Sequence, residues 1–184
     1  LAAIAPGQKR RKVPLSVIPD HMKQAVLAIE DRRFYTHPGV DPIRMVGALI
    51  TNLRGDKRYL EGASTITQQV AKNFLLSSDQ TMERKLKEVI LSIRIERAFT
   101  KKQILELYLN EIYLGGGAYG VAAAAQTYWD KSLNELSIAD CAYLATLPKA
   151  PSNYNPFRFP ERAVARRNWV IDRMVENGFV TKEE

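Results

Sequence analysis

Cysteine is almost missing from this chain. Of 184 residues only Cys141 carries a thiol, so no internal disulfide is possible. No cation flanks Cys141 in sequence, and it reads as a small buried hydrophobe rather than a reactive group. Histidine occurs twice, and nothing resembles the Cys/His spacing of a zinc site. No apolar run reaches the length of about 18 residues that a membrane-crossing helix needs. Internal repeats and heptad arrays are absent. The triplet Gly115-Gly116-Gly117 permits a sharp turn. It is not a nucleotide loop, because no strand precedes it in a βαβ unit and no Gly-Lys-Ser/Thr follows.

What is present is a globular composition. Hydrophobic residues make up 46% of the chain, and the length is enough for one domain with a real core. A formal charge of +7 calls for an anionic partner: nucleic acid, anionic lipid or a phosphorylated substrate.

The stretch Glu30 to Gly39 stands out. Ala25, Val26, Ala28 and Ile29 form an apolar helical pattern, the helix stops before Pro38-Gly39, and Glu30-Asp31 sits at its end. A partly desolvated carboxylate there, beside the negative pole of the helix dipole, can act as a general base or acid. On this stretch alone, a solvated helix end neutralised by Arg32 and Arg33 is the stronger reading.

Upstream, Lys9-Arg10-Arg11-Lys12 reads as a solvated or membrane-facing arm, and Val13 to Ile18 alternates like a strand. Asp20 caps the helix that carries Met22, Ala25, Val26 and Ile29. Asp41-Pro42 opens the next helix. Its Ile43, Met45, Val46, Ala48, Leu49, Ile50 and Leu53 spread over more than one face, with Arg44, Arg54, Lys57 and Arg58 among or beyond them. Such a helix is either fully buried or lies on a membrane surface. Ser64 or Thr65 caps a helix whose first amides offer a site for phosphate, with Gln68, Gln69 and Lys72 in its first turns. A long helix from Thr81 to about Ala98 has a predicted core stripe of Met82, Leu86, Val89, Ile90 and Ile93, extending to Ile95. Its other side shows Arg84, Lys85, Lys87 and Glu88. On its own that side is an ordinary salt-bridged solvent face. Thr100 to Gln103 is a capping box, four alanines precede Trp129, and Ser137 caps a further helix. A proline-rich loop spans 148 to 160, and a last helix runs from Pro160 to Asn177.

Five ordered motifs change the weight of these readings. They are Glu30-Asp31-x-x-Phe34-x-x-His37-x-Gly39, Gly62-x-Ser64-Thr65-Ile66-Thr67-Gln68-Gln69 and Arg84-Lys85-x-x-Glu88. Lys101-x-x-Ile104-Leu105-Glu106-x-Tyr108-Leu109-Asn110 with Tyr119-Gly120 comes next, and then Arg166-Arg167 with Val170 and Arg173-Met174. Together they closely resemble the peptidoglycan glycosyltransferases, family 51, which comprise the transglycosylase domains of class A penicillin-binding proteins and the monofunctional transglycosylases. The resemblance runs from about residue 13 to the end. It implies a mainly α fold: a lysozyme-like helical head with a smaller membrane-associated jaw, here about residues 40–60, in a single glycosyltransferase domain over 1–184.

The resemblance also implies an activity and its parts. The family polymerises lipid II into glycan strands at the outer face of the bacterial cytoplasmic membrane, with inversion and loss of a lipid pyrophosphate. Glu30 matches the catalytic base and Glu88 the second carboxylate. Asp31, Ser64, Thr65, Gln68, Gln69, Lys72, Asn73, Arg84 and Lys85 match substrate-binding positions. Phe34, His37 and Gly39 match positions that shape the loop around Glu30. A divalent cation, Mg²⁺ or Mn²⁺, is implied at Glu88, with lipid II, the growing glycan and the membrane surface as partners and no nucleic acid. A transpeptidase domain in the same polypeptide is implied by the ending at Gly178 to Thr181. The sequence departs from the usual pattern at Ala63, where a second glycine is common, and at Gln80, where many relatives carry arginine.

The residue types suit that chemistry. A sugar hydroxyl attacks poorly until its proton has an acceptor, and a departing pyrophosphate needs positive charge. A lysozyme-like hydrolase would use a lone Glu but has no pyrophosphate for Lys72 and the Arg84–Glu88 cluster to hold. A basic nucleic-acid module would need no Glu30 at all.

Overall fold

The computed structural model describes residues 9–53, 64–75, 81–148 and 159–184, with side chains at 51–53 excepted. The chain is mainly helical, as the motifs imply. It divides into two compact units, residues 1–29 with 109–184, and residues 30–108. The expectations at Ala63 and Gln80, at the basic residues 54, 57 and 58, and for most of the proline-rich loop lie outside the described residues.

In the first unit, β1 (Lys9–Arg10) pairs in parallel with β2 (Ala118–Tyr119). The basic arm is thus partly a strand. The strand expected over 13–18 is instead a 3₁₀ turn at Leu15–Val17, with Val17 half exposed. The reason is a side chain far along the chain: Asn110 accepts from the Val13 amide and donates to its carbonyl, both at 2.8 Å. Val13's backbone is therefore satisfied without a ladder. Arg10 lies 4.0 Å from the Tyr119 ring centroid and pairs with Glu111 at 3.0 Å.

The start of α1 (Asp20–Glu30) buries Met22, Ala25 and Val26. Gly120 begins α6 (Val121–Trp129) at φ 85°, and a Cβ there would meet the Asn110 carbonyl at 2.3 Å. Only glycine lets the two backbones approach so closely. The alanine run buries Ala124 and Ala125 completely. α7 (Ile138–Thr146) packs against α8 (Pro160–Glu176), and Cys141, Leu144, Val170 and Met174 of these helices are all in the core. Burial, then the nearby Asp140, pushes the Cys141 thiol up to about 12, so it stays protonated and apolar.

The second unit contains α2 (Pro42–Leu53), α3 (Ile66–Phe74), α4 (Met82–Ala98) and the first eight residues of α5 (Lys101–Glu111). Its core is Phe34, Ile66, Val70, Ala71, Ile95, Ile104, Leu105 and Tyr108. Thr65 is the N-cap of α3 and forms the full capping box with Gln68. Thr81 caps α4, and Thr100 with Gln103 opens α5.

Two helices present faces that periodicity did not assign. In α4 the buried positions are Arg84, Glu88, Ser92 and Ile95, while Met82, Leu86 and Ile90 are 86%, 60% and 45% exposed. Of the expected core stripe, Met82, Leu86 and Ile90 lie outward, Val89 and Ile93 are half-buried, and Ile95 is in the core. The polar positions can turn inward because they have partners there: Ser92 donates to the Glu88 carbonyl at 2.7 Å, and Glu88 accepts from Lys85 at 3.0 Å. In α2 only Asp41, just before it, and Ala48 are buried, and Ile43, Met45, Val46, Leu49 and Ile50 are all exposed. Of the two readings for α2, internal burial does not hold among the described residues.

Candidate functional site

Glu30 is the last residue of α1, and it is 1% exposed. Its Oε2 accepts one described hydrogen bond, from the Gln69 side-chain amide at 3.2 Å. Gln69 is in turn held by the Tyr108 hydroxyl, which donates to Gln69 Oε1 at 3.3 Å. Tyr108 is buried, and its pKa is well above the ordinary phenol value, by burial first and then by the negative charge of Glu30 and Asp31. It therefore stays a neutral donor that fixes the amide's orientation.

Asp31 faces the other way. Its Oδ2 lies 2.6 Å from His37 Nε2 and accepts from the Ile66 amide at 3.0 Å. The first free amide of α3 is thus occupied by a carboxylate of the same chain, as the helix dipole favours. The Thr65 amide goes to Gln68 Oε1 and the Gln68 amide to Thr65 Oγ1. The expectation that the start of α3 offers amides to phosphate is corrected for these three. Asp31, Thr65 and Gln68, expected to touch substrate, are 1%, 0% and 2% exposed. Their described hydrogen bonds run to groups of the same chain.

The loop after Glu30 is pinned from several sides. Phe34 is fully buried, and the Lys101 ammonium stands 4.7 Å from its ring centroid. Lys101 also donates to the His37 carbonyl at 2.6 Å and to Glu96 at 2.7 Å. Glu96 accepts from Thr67 as well. Gly39 has φ 117°, its amide donates to His37 Nδ1 at 3.0 Å, and its carbonyl accepts from Thr65 Oγ1 at 2.7 Å. A Cβ there would meet the Ser92 carbonyl at 3.0 Å, so glycine is required both by backbone angle and by space.

Asp41 caps α2 by accepting from the Arg44 amide at 3.1 Å, and it binds Arg33 Nε at 2.8 Å. Burial alone would raise its pKa. The Arg44 amide, then Arg33, then His37 outweigh burial, and the net shift is downward. Arg33 therefore serves Asp41 and not the Glu30–Asp31 pair that sequence proximity suggested. Arg44, expected in the basic fringe of α2, is half-buried, and Nη1 donates to the carbonyl of Glu30.

The cationic half of the site lies on α3 and α4. Lys85 Nζ is 3.0 Å from Glu88 Oε1 and 3.2 Å from Ser64 Oγ, joining Ser64, Lys85 and Glu88. Arg84 is buried on the same side as Glu88, while Lys72 and Asn73 are exposed on α3. Among the described residues no group of three His, Cys, Asp or Glu side chains could cage a metal. A divalent ion held at Glu88 would need oxygens that a phosphorylated substrate brings, as Mg²⁺ commonly takes them.

Sequence reasoning missed Arg44, Lys101, Glu96 and Tyr108 as members of this network. Tyr108 and Lys101 lie within a recognised motif. Their contacts to Gln69 and His37 span 39 and 64 residues, and no local pattern carries such pairings.

By fold the chain is a mainly helical domain whose residues 30–108 hold both the buried Glu30 and the Lys85–Glu88 pair. It belongs to the transglycosylase family, whose family model matches residues 1–175. It is similar to penicillin-binding protein 1A of Aquifex aeolicus, 55% identical over 96% of this chain and 24% of that protein. The Escherichia coli penicillin-binding protein 1A is 52% identical over 97% of this chain and 21% of the relative. A putative transglycosylase of Cupriavidus necator is 54% identical over 94% of this chain and 74% of its own length. Among solved structures, penicillin-binding protein 1A from Haemophilus influenzae matches with a TM-score of 0.55 and 30% identity, over 96% of this chain and 17% of that one. The chain therefore spans about a quarter of the penicillin-binding proteins it matches.

Proposed function

We propose that this chain is a peptidoglycan glycosyltransferase that polymerises lipid II, with Glu30 as the general base. The observation that carries the reading is one arrangement within residues 30–108. A buried carboxylate accepts a single described hydrogen bond, from Gln69, and the same compact unit holds Lys72, Arg84, Lys85 and Glu88. Glu30 takes the proton from the acceptor sugar hydroxyl as its oxygen bonds to the donor's anomeric carbon, with inversion. The bond from that carbon to the lipid pyrophosphate breaks, and the electron pair leaves with the pyrophosphate. Lys72, Lys85 and Arg84 meet the negative charge that develops there, in a site whose groups need no reorganisation. Ser64, Gln69 and Asn73 line the substrate's path. A divalent cation bound jointly by Glu88 and the pyrophosphate oxygens would add positive charge to the leaving group.

The exposed apolar side of α2 is the membrane-facing jaw in this reading, and the enzyme works at the outer face of the bacterial cytoplasmic membrane. No described helix is long and apolar enough to cross a membrane. The penicillin-binding protein 1A relatives, of which this chain matches about a quarter, are long enough for a transpeptidase domain in the same polypeptide. The test is turnover of labelled lipid II by wild type and Glu30→Gln. Glutamine keeps shape and hydrogen bonding but cannot take the proton, so polymer formation is expected to fall by roughly 10² to 10⁴, with lipid II binding retained. An active Glu30→Gln protein, or release of sugars from finished glycan without consumption of lipid II, rejects the reading.

A further inference from the structure

The side chain of Arg44 is the only described one that donates to the Glu30 backbone. Glu30 ends α1, and the last carbonyls of a helix have no partner within it. A guanidinium there satisfies a carbonyl and complements the negative pole of the helix. Arg44 Nη1 also approaches the Ser64 carbonyl at 3.5 Å, so one group spans the residue before the Glu30 loop and the residue before the α3 cap. Burial lowers the Arg44 pKa, and the negative charges of Asp31, Glu30 and Asp41 raise it. An arginine remains cationic through that contest. The root of its own helix is fixed, since the Arg44 amide is held by Asp41, which Arg33 holds in turn.

We propose that Arg44 is a positioning residue for the transfer reaction, holding the Glu30 backbone at its helix end and supplying the counter-charge beside the buried Glu30–Asp31 pair. This rests on the reading of Glu30 as the base. Nothing in the geometry brings Arg44 to substrate; it acts through Glu30. Arginine suits the task better than lysine, because its guanidinium stays charged when half-buried and its planar Nη1 carries two N–H groups toward the Glu30 and Ser64 carbonyls.

The experiment is a double-mutant cycle on the vesicle-reconstituted protein, with lipid II as substrate. Arg44→Met is expected to lower kcat by roughly 10- to 100-fold, as small displacements of a reacting group do, with KM little changed. Arg44→Lys is expected to recover part of that loss by restoring the charge. In a Glu30→Gln background Arg44→Met is expected to cost less than about twofold, because the group it positions no longer acts. Unchanged kcat in Arg44→Met, a rise in KM alone, or two substitutions whose losses multiply would each overturn the proposal while leaving Glu30 as the base. If Arg44→Met does not fold, Arg44→Lys decides: a lowered kcat at the wild-type unfolding temperature supports the proposal, and an unchanged one rejects it. A fully active Glu30→Gln is the separate result that removes the base reading itself.

Discussion

At the scale of single residues, the motifs named the carboxylates and cations, and the fold shows which of them are buried and what each one touches. Gln69 reaches Glu30 across 39 residues, and Lys85 pairs with Glu88 one turn along α4. Asp31 was legible as a neighbour of Glu30 but not as the anion that occupies the Ile66 amide. Adjacent residues at a helix end point in different directions, and sequence does not say which one turns inward. The Lys85–Glu88 pair is a half-exposed ammonium on a buried carboxylate. As a plain salt bridge it would be worth at most about 1 kcal/mol. As part of the leaving-group site it has a distinct signature. Lys85→Ala is expected to weaken donor binding, and Glu88→Gln to cut turnover and change its dependence on added Mg²⁺. Titrating Mg²⁺ against the rate of both variants checks this, and unaltered curves reduce the pair to a surface contact.

Among elements, the helices were largely legible because their ends are chemically marked. Thr65, Thr81, Thr100 and Ser137 each cap or flank a helix as read. Faces were less legible. Met82, Leu86 and Ile90 recur at helical spacing, yet Arg84, Glu88 and Ser92 take the interior, because periodicity finds a stripe without showing what lies opposite it. In α2 the exposed Met45 and Leu49 carry the membrane reading. Replacing both with Asp is expected to reduce binding to phospholipid vesicles and leave the circular dichroism spectrum intact, measured by co-sedimentation. Loss of structure instead would make the face part of the core.

The start of α2 has its own pH signature. Asp41 has a lowered pKa in the folded state, so its contribution is complete above its unfolded value. That contribution is lost as pH falls through the folded value, below about 4. Asp41→Asn keeps a capping oxygen but loses the charge paired with Arg33. At pH 7 it is expected to be less stable by about 1 kcal/mol, and the gap should close in strong acid. Urea unfolding of both proteins across pH 2 to 7 reads this directly, because titration of the other carboxylates cancels in the difference.

For the whole molecule, charge and chemistry make separable demands. The chain carries +7 overall, and a purely electrostatic binder would draw all its affinity from that charge. Screening shortens from about 10 Å at 0.1 M salt to about 3 Å at 1 M. Attraction of exposed lysines and arginines to an anionic surface should fade over that range. Apolar contact through α2 should not, since it depends on area removed from water. Vesicle binding is therefore expected to weaken with salt but to level off above zero for the wild type. With Met45 and Leu49 both replaced by Asp, it should fall away entirely. Polymerisation of lipid II in neutral detergent needs no anionic surface, and it should keep its dependence on Glu30 at every salt concentration. Binding that vanishes with salt in the wild type, together with a rate indifferent to Glu30→Gln, would describe a basic surface-binding module and not a transferase.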